Sequence, residues 1–266
     1  MINHTFAICA YKESQYLEDC IKSVLYQTIK SKCIICTSTP NLHIEKLALK
    51  YNLPLYIRER KEDENSISED WNFAISQVNT EYCTLAHQDD IYLNNYTESI
   101  LKEINNSSKP LIIFSDYAEL RESSTTINGL NLKIKRLMQK PFKLKLLRKS
   151  KFIRRLIFSF GTPICCPSVC FSKKNLIEQY FSSKLKCSLD WLAWTNISNY
   201  NGDFIYINKV LMQHRIHKSS ETSNLIEKNI RQNEDYYMFC KFWNKPIAKI
   251  INKIYSYSIK SNQVIL

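Results

Sequence analysis

A pair of carboxylates follows directly on an apolar run near the middle of the chain. The run Tyr82-Cys83-Thr84-Leu85-Ala86 predicts a buried strand, and it ends at His87-Gln88-Asp89-Asp90. Hard divalent cations prefer carboxylate oxygens as ligands, and Asp89 is the residue of this segment that we expect to hold one. The competing interpretation is that Asp89 and Asp90 form a solvated turn after a strand.

Two later segments contain groups that could complement such a cation. The segment His214-Arg215-Ile216-His217 offers imidazoles, which Mn²⁺ accepts as ligands, and a guanidinium that can bind phosphate oxygens. A solvated basic loop is the alternative. Asp190 lies between Leu189 and Trp191, which could partly desolvate its carboxylate and suit it to proton transfer. A helix-capping aspartate among core aromatic residues is the alternative there, and Asp116 is a second candidate carboxylate.

Alternating strands and helices in the first half of the chain must position these groups. Apolar runs predict strands, and apolar residues at helical spacing predict the helices between them, the first capped by Ser14. This alternation predicts a mainly parallel α/β sheet with right-handed crossovers and helices on both faces. The predicted strands cover residues 6–10, 33–36, 55–57, 82–86 and 111–114, and the helices include residues 17–25, 44–51, 71–78 and 96–104.

The carboxyl ends of these strands carry the polar clusters of the first half. Ligands of such sheets bind beyond the carboxyl ends of the strands. The clusters Tyr11-Lys12-Glu13, Thr37-Ser38-Thr39 and His87 to Asp90 all follow strand ends. We therefore expect them to meet at one edge of the sheet.

Most of the excess positive charge lies in one segment. The formal net charge is +12, and residues 133–155 contain eleven lysines and arginines and no acidic residue. Apolar residues such as Leu137 and Phe152 are interspersed among these charges. The mixture is typical of an interfacial helix on anionic lipid, and a surface helical hairpin is the alternative. The last forty or so residues are also predicted to be helical and basic.

The composition excludes several classes of protein. With 266 residues, 44% of them apolar and 23% charged, the chain is neither disordered throughout nor a multi-span membrane protein. The first residues show no secretion signal, so we expect a cytoplasmic protein whose ten cysteines are reduced thiols. The pair Cys33-x-x-Cys36 could form half of a zinc site with Cys165, Cys166 and Cys170, but the spacing matches no recognised zinc motif.

The order of these segments resembles inverting glycosyltransferase family 2, whose members have the GT-A fold. The opening strand with Ala10-Tyr11-Lys12-Glu13, and a following helix that closes on Gln27-Thr28, is similar to the start of that family. Asp70-Trp71-Asn72 and His87 to Asp90 resemble its second and third signatures. Leu189-Asp190-Trp191 and Arg215 to Ser219 fall where the family has its catalytic carboxylate and a donor-site loop. The resemblance extends over residues 4 to 223.

The resemblance implies roles for particular residues. Asp190 is the expected base, which removes the proton of an acceptor hydroxyl, and the neighbouring tryptophans offer a surface on which a sugar ring could stack. Asp89 and His217 are the expected ligands of Mn²⁺ or Mg²⁺. The competing roles are helix capping for Asp70, a core position for Trp71, stabilisation of a helix N-terminus for Glu13 and the end of a strand for His87. The expected donor-binding residues are Ala10, Tyr11, Glu13, Ser38, Asp70, Asn72, His87, Gln88, Asp90 and Arg215.

The sequence departs from the family pattern at two positions. His87 stands where the family begins its Asp-x-Asp motif, and a neutral imidazole at this position can hydrogen-bond to ribose or phosphate. The turn Cys36-Thr37-Ser38-Thr39-Pro40 replaces an Asp-rich turn that many members use on the uracil ring. The identity of the donor base is therefore open.

These observations predict an enzyme that transfers a sugar, with inversion, from a nucleotide-diphosphate donor, most simply a UDP-sugar. The expected acceptor is a glycan or lipid-linked glycan of a cell-surface polysaccharide, at the inner face of the plasma membrane. The alternatives are a basic nucleic-acid-binding module and a nucleotidyltransferase, but no nucleic-acid motif and no Gly-rich phosphate loop is present. The predicted divisions are a nucleotide-sugar-binding half at 1–120, a basic amphipathic insert at 121–160, an acceptor and catalytic half at 161–225 and a helical tail at 226–266.

Overall fold

One nine-stranded sheet forms the centre of the protein. The computed structural model describes residues 3–60, 67–121, 124–176, 180–217 and 230–263, with side chains up to residue 256. The strand order is β3-β2-β1-β4-β8-β6-β9-β5, and β7 pairs with β6. The strands are β1 His4–Ala10, β2 Lys32–Thr37, β3 Leu55–Ile57, β4 Tyr82–His87, β5 Ile91–Tyr92, β6 Pro110–Arg121, β7 Ser124–Thr126, β8 Val169–Ser172 and β9 Asp203–Arg215.

Helices pack on both faces of this sheet. In the described part of the chain, no helix is long and apolar enough to cross a membrane. Short 3-10 helices occupy Lys140–Lys143, Leu147–Lys149 and Cys166–Ser168. The α-helices are α1 Leu17–Leu25, α2 Leu42–Lys50, α3 Ile67–Ser76, α4 Tyr96–Asn105, α5 Leu130–Gln139, α6 Lys151–Phe158, α7 Leu189–Ile197, α8 Ile230–Cys240 and α9 Lys245–Gln263.

The first four strands follow the alternation predicted from the sequence. β1 pairs in parallel with both β2 and β4, and β2 pairs in parallel with β3. Asn41 caps α2 by accepting a hydrogen bond from the Ile44 amide at 3.0 Å. Ser14 does not cap α1, which begins three residues later, although its hydroxyl accepts a bond from the Tyr16 amide. The predicted α/β fold class is confirmed.

The rest of the sheet is mixed in direction. β8 lies antiparallel between β4 and β6, and β9 runs parallel to β6 through a register shift near Asp116. The segments 1–120 and 161–225 therefore contribute strands to one continuous sheet. The predicted divisions stay predictions, and the boundary at 225 lies outside the described residues.

Each face of the sheet has its own apolar core. Ile35 and Cys33 lie in the core that α1, α2 and α4 cover, whereas Cys36 lies in the opposite core with α3, α6 and α7. Cys33 and Cys36 are thus on opposite faces and cannot share a zinc ion. All ten cysteines are free thiols.

The basic segment is partly built into the protein. Arg154 is fully buried, and its guanidinium donates to the backbone carbonyls of Arg148, Ser198, Tyr200 and Gly202. Arg148 itself pairs with buried Asp203 at 3.0 Å. These cations therefore anchor the segment to the start of β9 and are not available to a partner.

Candidate active site

Asp89 and His217 meet at the carboxyl edge of the sheet. Asp89 is two residues beyond β4 and His217 is two residues beyond β9, and His217 Nε2 lies 3.0 Å from Asp89 Oδ2. Burial by itself raises the pKa of Asp89, but the hydrogen bond to His217 and the nearby His87 and His214 lower it on balance. Asp89 is therefore ionised and paired with an imidazole.

Asp90 fastens the end of β9 beside Asp89. Its side chain is fully buried, and Oδ1 accepts the Arg215 amide at 2.9 Å and lies 3.0 Å from His214 Nδ1. Burial lowers the pKa of His214, but the charge and the hydrogen bond of Asp90, together with the charge of Asp89, raise it on balance. Asp90 Oδ2 has no hydrogen-bond partner in the described part of the chain. Asp90 thus holds in place the segment that carries His217.

Arg215 stabilises the turn at Asp89 that follows β4. Its Nε donates to the Asp89 carbonyl at 2.9 Å, its Nη2 lies 3.5 Å from Asp19 Oδ2, and its guanidinium lies over the Tyr16 ring at 4.3 Å. The phosphate contact expected of Arg215 stays a prediction, since this side chain is already engaged. Lys218 and Ser219, which follow in the same motif, lie outside the described residues.

His87 is stacked against Trp71 at the inner side of the site. The ring centroids are 4.7 Å apart, and Trp71 in turn meets Phe181 edge-on at 4.9 Å. Burial lowers the pKa of His87, although the charges of Asp90 and Asp89 raise it, so the imidazole is neutral. Its Nε2 is buried and has no hydrogen-bond partner among the described residues. His87 therefore has a structural contact with Trp71, and its Nε2 atom has no hydrogen-bond partner among the described residues.

Gln88 holds the loop that follows β1. Its Oε1 accepts the Tyr11 amide at 2.9 Å and its Nε2 donates to the Tyr11 carbonyl at 3.0 Å. The next residue, Lys12, has a φ of 54°, and its amide donates to Thr39 Oγ1 at 2.6 Å. These bonds join the loops after β1, β2 and β4. The side chain of Gln88 is hydrogen-bonded to the backbone of Tyr11.

The predicted nucleoside contacts lie at the ends of β1 and β2. Ala10 is a buried strand residue, Tyr11 is half-buried and Glu13 is exposed. Ser38 is buried, and its hydroxyl has no hydrogen-bond partner in the residues described. A hydroxyl in this position can hydrogen-bond to a base or ribose.

Arg60, three residues beyond β3, was missed by the sequence reasoning. Its guanidinium lies 5.2 Å from the centroid of the Tyr11 ring, and its Nη2 lies 3.7 Å from Asp70 Oδ2. Arg58 binds the other oxygen of Asp70 through Nε at 2.9 Å and Nη2 at 2.7 Å. Asp70 is therefore a side chain of the first turn of α3 that orients two arginines. No motif marks them, because the sequence does not reveal that Arg60 lies beside Tyr11.

Asn72 ties α3 to the chain that precedes α7. Its Nδ2 donates to the Phe181 carbonyl at 2.7 Å, and its Oδ1 accepts the Phe181 amide at 3.0 Å. Both polar atoms of the side-chain amide take part in this pair of bonds. Any effect of Asn72 on donor binding is thus expected to be indirect, through the position in which it holds the backbone at Phe181.

Asp190 lies in the first turn of α7. Its Oδ1 accepts the Trp191 amide at 2.7 Å, and burial raises its pKa although this bond and the charges of Arg231 and Lys135 lower it. Burial, and then the charges of Asp90 and Asp190, raise the pKa of the Cys165 thiol. Asp90 and Asp190, which belong to different elements, therefore both act electrostatically on this thiol.

The tryptophans beside Asp190 do not have the predicted role. Trp191 and Trp194 are both fully buried, and the Trp191 indole donates to the Phe158 carbonyl at 3.0 Å. The expectation that they offer a stacking surface to a sugar is wrong, because they form the core between α7 and α6. Asp116 is also already paired, since its Oδ2 lies 2.5 Å from Arg136 Nε.

The donor set fits Mn²⁺ or Mg²⁺ held jointly by the protein and a substrate. Asp89 and His217 supply one carboxylate and one imidazole, and no group of three or more His, Cys, Asp or Glu side chains suited to a metal occurs in the described residues. Mg²⁺ is commonly bound through one or two carboxylates plus substrate phosphates, and Mn²⁺ accepts an imidazole as well. A complete protein cage is therefore not required.

Comparisons with known proteins identify the family and the fold of the chain. A family model described as glycosyl transferase family 2 matches residues 5–181. None of the curated proteins gives a significant match to the sequence. Of the solved structures, S. aureus TarS 1–349 in complex with UDP-GlcNAc superposes with a TM-score of 0.63 at 12% identity, over 94% of this chain and 70% of that one. The chain spans 42% of a longer TarS structure.

Two further enzymes have the same fold. Mannosyltransferase PcManGT from Pyrobaculum calidifontis, in complex with GDP-Man and Mn²⁺, matches with a TM-score of 0.58 at 12% identity over 90% of this chain and 63% of that one. Glucosyl-3-phosphoglycerate synthase from Mycobacterium tuberculosis, in complex with Mg²⁺ and UDP, matches with a TM-score of 0.50 at 11% identity over 84% and 76%. Because the family match covers well over half of the 266 residues and these structures share its fold, the chain belongs to glycosyl transferase family 2 and is a glycosyltransferase of the GT-A type.

Proposed function

We propose that this enzyme transfers a sugar with inversion from a nucleotide-diphosphate donor, most simply a UDP-sugar, to a glycan or lipid-linked glycan of a cell-surface polysaccharide. The observation that carries the proposal is the contact of Asp89 with His217 at 3.0 Å, at the carboxyl edge of the sheet. Of the structurally similar enzymes, TarS holds UDP-GlcNAc or UDP, the glucosyl-3-phosphoglycerate synthase holds UDP and PcManGT holds GDP-Man, which supports a nucleotide-linked donor.

In this proposal Asp89 and His217 hold the divalent cation. When bound, Mn²⁺ or Mg²⁺ supplies positive charge that stabilises the leaving diphosphate. Asp90 and Arg215 keep the turn and the end of β9 in register, so that the carboxylate and the imidazole stay together. These two residues act by positioning, and their engagement within the protein supports that role.

The nucleoside part of the donor is assigned to the ends of β1 and β2. Tyr11 offers an aromatic ring braced by the Arg60 guanidinium, and Ser38 offers a hydroxyl whose hydrogen-bonding capacity is unused. A hydroxyl accepts and donates, so it is compatible with uracil and with other bases. The base preference therefore has to be measured.

Asp190 is the proposed base. It takes the proton of the acceptor hydroxyl while that oxygen attacks the anomeric carbon and the bond from this carbon to the diphosphate oxygen breaks, so the configuration inverts. Burial raises the pKa of Asp190, and a raised pKa makes the carboxylate a better proton acceptor.

A membrane partner is also part of the proposal. The exposed lysines and apolar residues of the basic segment support peripheral attachment to an anionic membrane, where a lipid-linked acceptor would be found.

The test is a screen of UDP-, GDP-, CDP- and dTDP-sugars for hydrolysis and transfer with Mn²⁺, with Mg²⁺ and with a chelator. We expect one donor class to be turned over only with metal, and Asp89→Ala to lower kcat/KM about a hundredfold or more. Glu45→Ala, an exposed carboxylate on α2, is the matched control and should leave turnover unchanged. Turnover that survives Asp89→Ala, or the absence of turnover with every donor, contradicts the proposal.

A further inference from the structure

The C-terminal helix α9 carries an apolar stripe that no part of the described chain covers. Ile247, Ile250 and Ile254 are 40%, 62% and 67% exposed, and their spacing puts them on one face of the helix. The opposite face is firmly held, since Ala248 is fully buried and Asn252 Nδ2 donates to the Gln232 carbonyl at 3.1 Å. The exposed stripe therefore belongs to a helix that is fixed on the protein.

A second stripe of the same kind lies on α6. Phe152 and Leu156 of α6, and Phe160 two residues beyond its end, recur every four residues and are 72%, 46% and 50% exposed. The inner face of α6 is buried through Arg154, Ile157 and Phe158. Both helices thus bury one face against the protein and leave apolar side chains outside.

The two helices are joined at one end. Arg155 of α6 donates from Nη2 to the Lys241 carbonyl at 3.2 Å, and its guanidinium lies 5.1 Å from the centroid of the Phe242 ring. Phe160 packs on Trp243 with ring centroids 5.6 Å apart, and α9 begins two residues later. The two stripes, 87 or more residues apart in sequence, are therefore neighbours on the surface.

The charge around both stripes has one sign. There is no aspartate or glutamate in residues 123–177 or in residues 236–266. Exposed lysines accompany each stripe, namely Lys149 and Lys151 for α6 and Lys245, Lys249 and Lys253 for α9. We call this joint surface of α6 and α9 the basic apolar face.

We propose that the basic apolar face docks on an anionic lipid bilayer, with α9 as a second anchoring element that acts together with α6. Apolar side chains on a basic helix enter the boundary between headgroups and acyl chains, while lysines bind the anionic headgroups. The sequence pattern predicted membrane contact for residues 133–155 alone, so the part played by α9 is new. The inference deepens the membrane partner of the proposed function but does not depend on the donor chemistry.

Two other occupants fit the face less well. A nucleic acid would be bound by the lysines but would leave Ile250 and Phe152 in contact with phosphates or water. A second copy of the chain, docked face to face, would bring like-charged lysines opposite one another. An anionic bilayer satisfies both the charge and the apolar side chains.

The experiment measures binding of the purified chain, without donor, to vesicles of phosphatidylcholine and of a phosphatidylcholine–phosphatidylglycerol mixture. We expect binding to the mixed vesicles only. The variant I250E/I254E on α9 should lower the partition coefficient about tenfold or more, and K249E/K253E should lower it to a similar extent.

Matched controls lie on exposed positions far from the face. Leu49→Glu on α2, where Leu49 is 85% exposed, controls for I250E/I254E. The pair K46E/K102E on α2 and α4 changes the net charge as much as K249E/K253E does. The controls should bind vesicles like the unaltered chain, and all variants should keep its circular dichroism spectrum.

Several outcomes overturn the inference. The unaltered chain could bind neutral vesicles as strongly as the mixed vesicles. The α9 variants and their controls could lose vesicle binding to the same extent, or the α9 variants could bind like the unaltered chain. Self-association or oligonucleotide binding that is lost in the α9 variants, without vesicle binding, assigns the face to another partner. Vesicle binding without turnover of any nucleotide sugar contradicts the proposed function and leaves this inference standing.

Discussion

At the scale of single residues, the two key aspartates differ because their surroundings differ. His217 and its neighbouring imidazoles lower the pKa of Asp89 against the effect of burial, whereas burial raises the pKa of Asp190. A carboxylate with a lowered pKa is ionised and suited to a cation, and one with a raised pKa is suited to accept a proton. The same residue type therefore serves two roles in the proposed reaction.

The variant Asp190→Asn should separate chemistry from binding. An amide cannot take a proton, so we expect kcat for transfer to fall about a hundredfold to ten-thousandfold while the donor dissociation constant is unchanged. Donor binding is measured by calorimetry and transfer by product formation. A loss of donor binding would show that Asp190 acts on the donor.

The same variant has a predicted effect on stability. A raised pKa means that the folded state binds this proton more tightly than the unfolded state, so ionisation of Asp190 lowers stability as the pH rises through the folded pKa. Asp190→Asn cannot ionise, and we expect its free energy of unfolding at neutral pH to equal or exceed that of the unaltered chain. A marked decrease in the free energy of unfolding, measured by urea denaturation, would instead indicate a capping role for Asp190.

The pH dependence of kcat should reflect the same shift. Because Asp190 must be deprotonated to act, kcat should rise with pH through its raised pKa. The acidic limb of the profile is expected above the ordinary aspartate value, which is about 3.9. An acidic limb at or below that value would argue against Asp190 as the base.

At the scale of elements, β9 and α6 decide where the site and the docking face lie. β9 pairs with β5, which follows β4 directly in the chain, and this pairing brings His217 to Asp89. The bond from the Arg215 amide to Asp90 fixes that approach. The buried Arg154 of α6 binds carbonyls near the start of β9. The helix that bears the basic apolar face is therefore attached to the strand that ends at the site.

Removing the Arg154 guanidinium should destabilise the whole protein. Arg154→Met leaves several buried carbonyls without a donor, and we expect a loss of about 3 kcal/mol or more in the free energy of unfolding from urea denaturation. Lys151→Met, an exposed position on the same helix, should change it by no more than about 0.5 kcal/mol. Equal small effects of the two variants would mean that water replaces the guanidinium.

At the scale of the whole molecule, donor binding should stabilise the fold because the site is assembled from distant strands. β1, β2 and β4 contribute the loops around Tyr11 and Ser38, and β9 contributes His217. A ligand that binds only this folded assembly shifts the unfolding equilibrium toward the folded state.

We expect UDP with Mn²⁺ to raise the melting temperature measured by calorimetry. At a ligand concentration about a hundred times the dissociation constant, the added stability is about 2.7 kcal/mol. Asp89→Ala should lose most of this shift, whereas Glu45→Ala should keep it. If no nucleoside diphosphate raises the melting temperature, the site is misassigned.

The sequence alone was sufficient for the fold class and for grouping the candidate site residues at the carboxyl edge of the sheet. The strands at 82–86 and 111–114 and the helices between the early strands are local features, because periodicity and turn residues act over a few positions. The order of the motifs was enough to predict the family, which the comparisons confirm. The grouping of Tyr11, Ser38 and His87 at one edge follows from the parallel strands that precede them.

Only the tertiary structure decided which side chains are free to act. β8 inserts antiparallel between β4 and β6, and β9 pairs with both β6 and β5. Such pairings between distant segments leave no local periodicity in the sequence. For this reason the buried state of Trp191, the use of Gln88 on the Tyr11 backbone and the place of Arg60 were not predictable. Burial and hydrogen-bond partners are set by contacts across the chain, so the adjacency of α6 and α9 emerged only from the folded molecule.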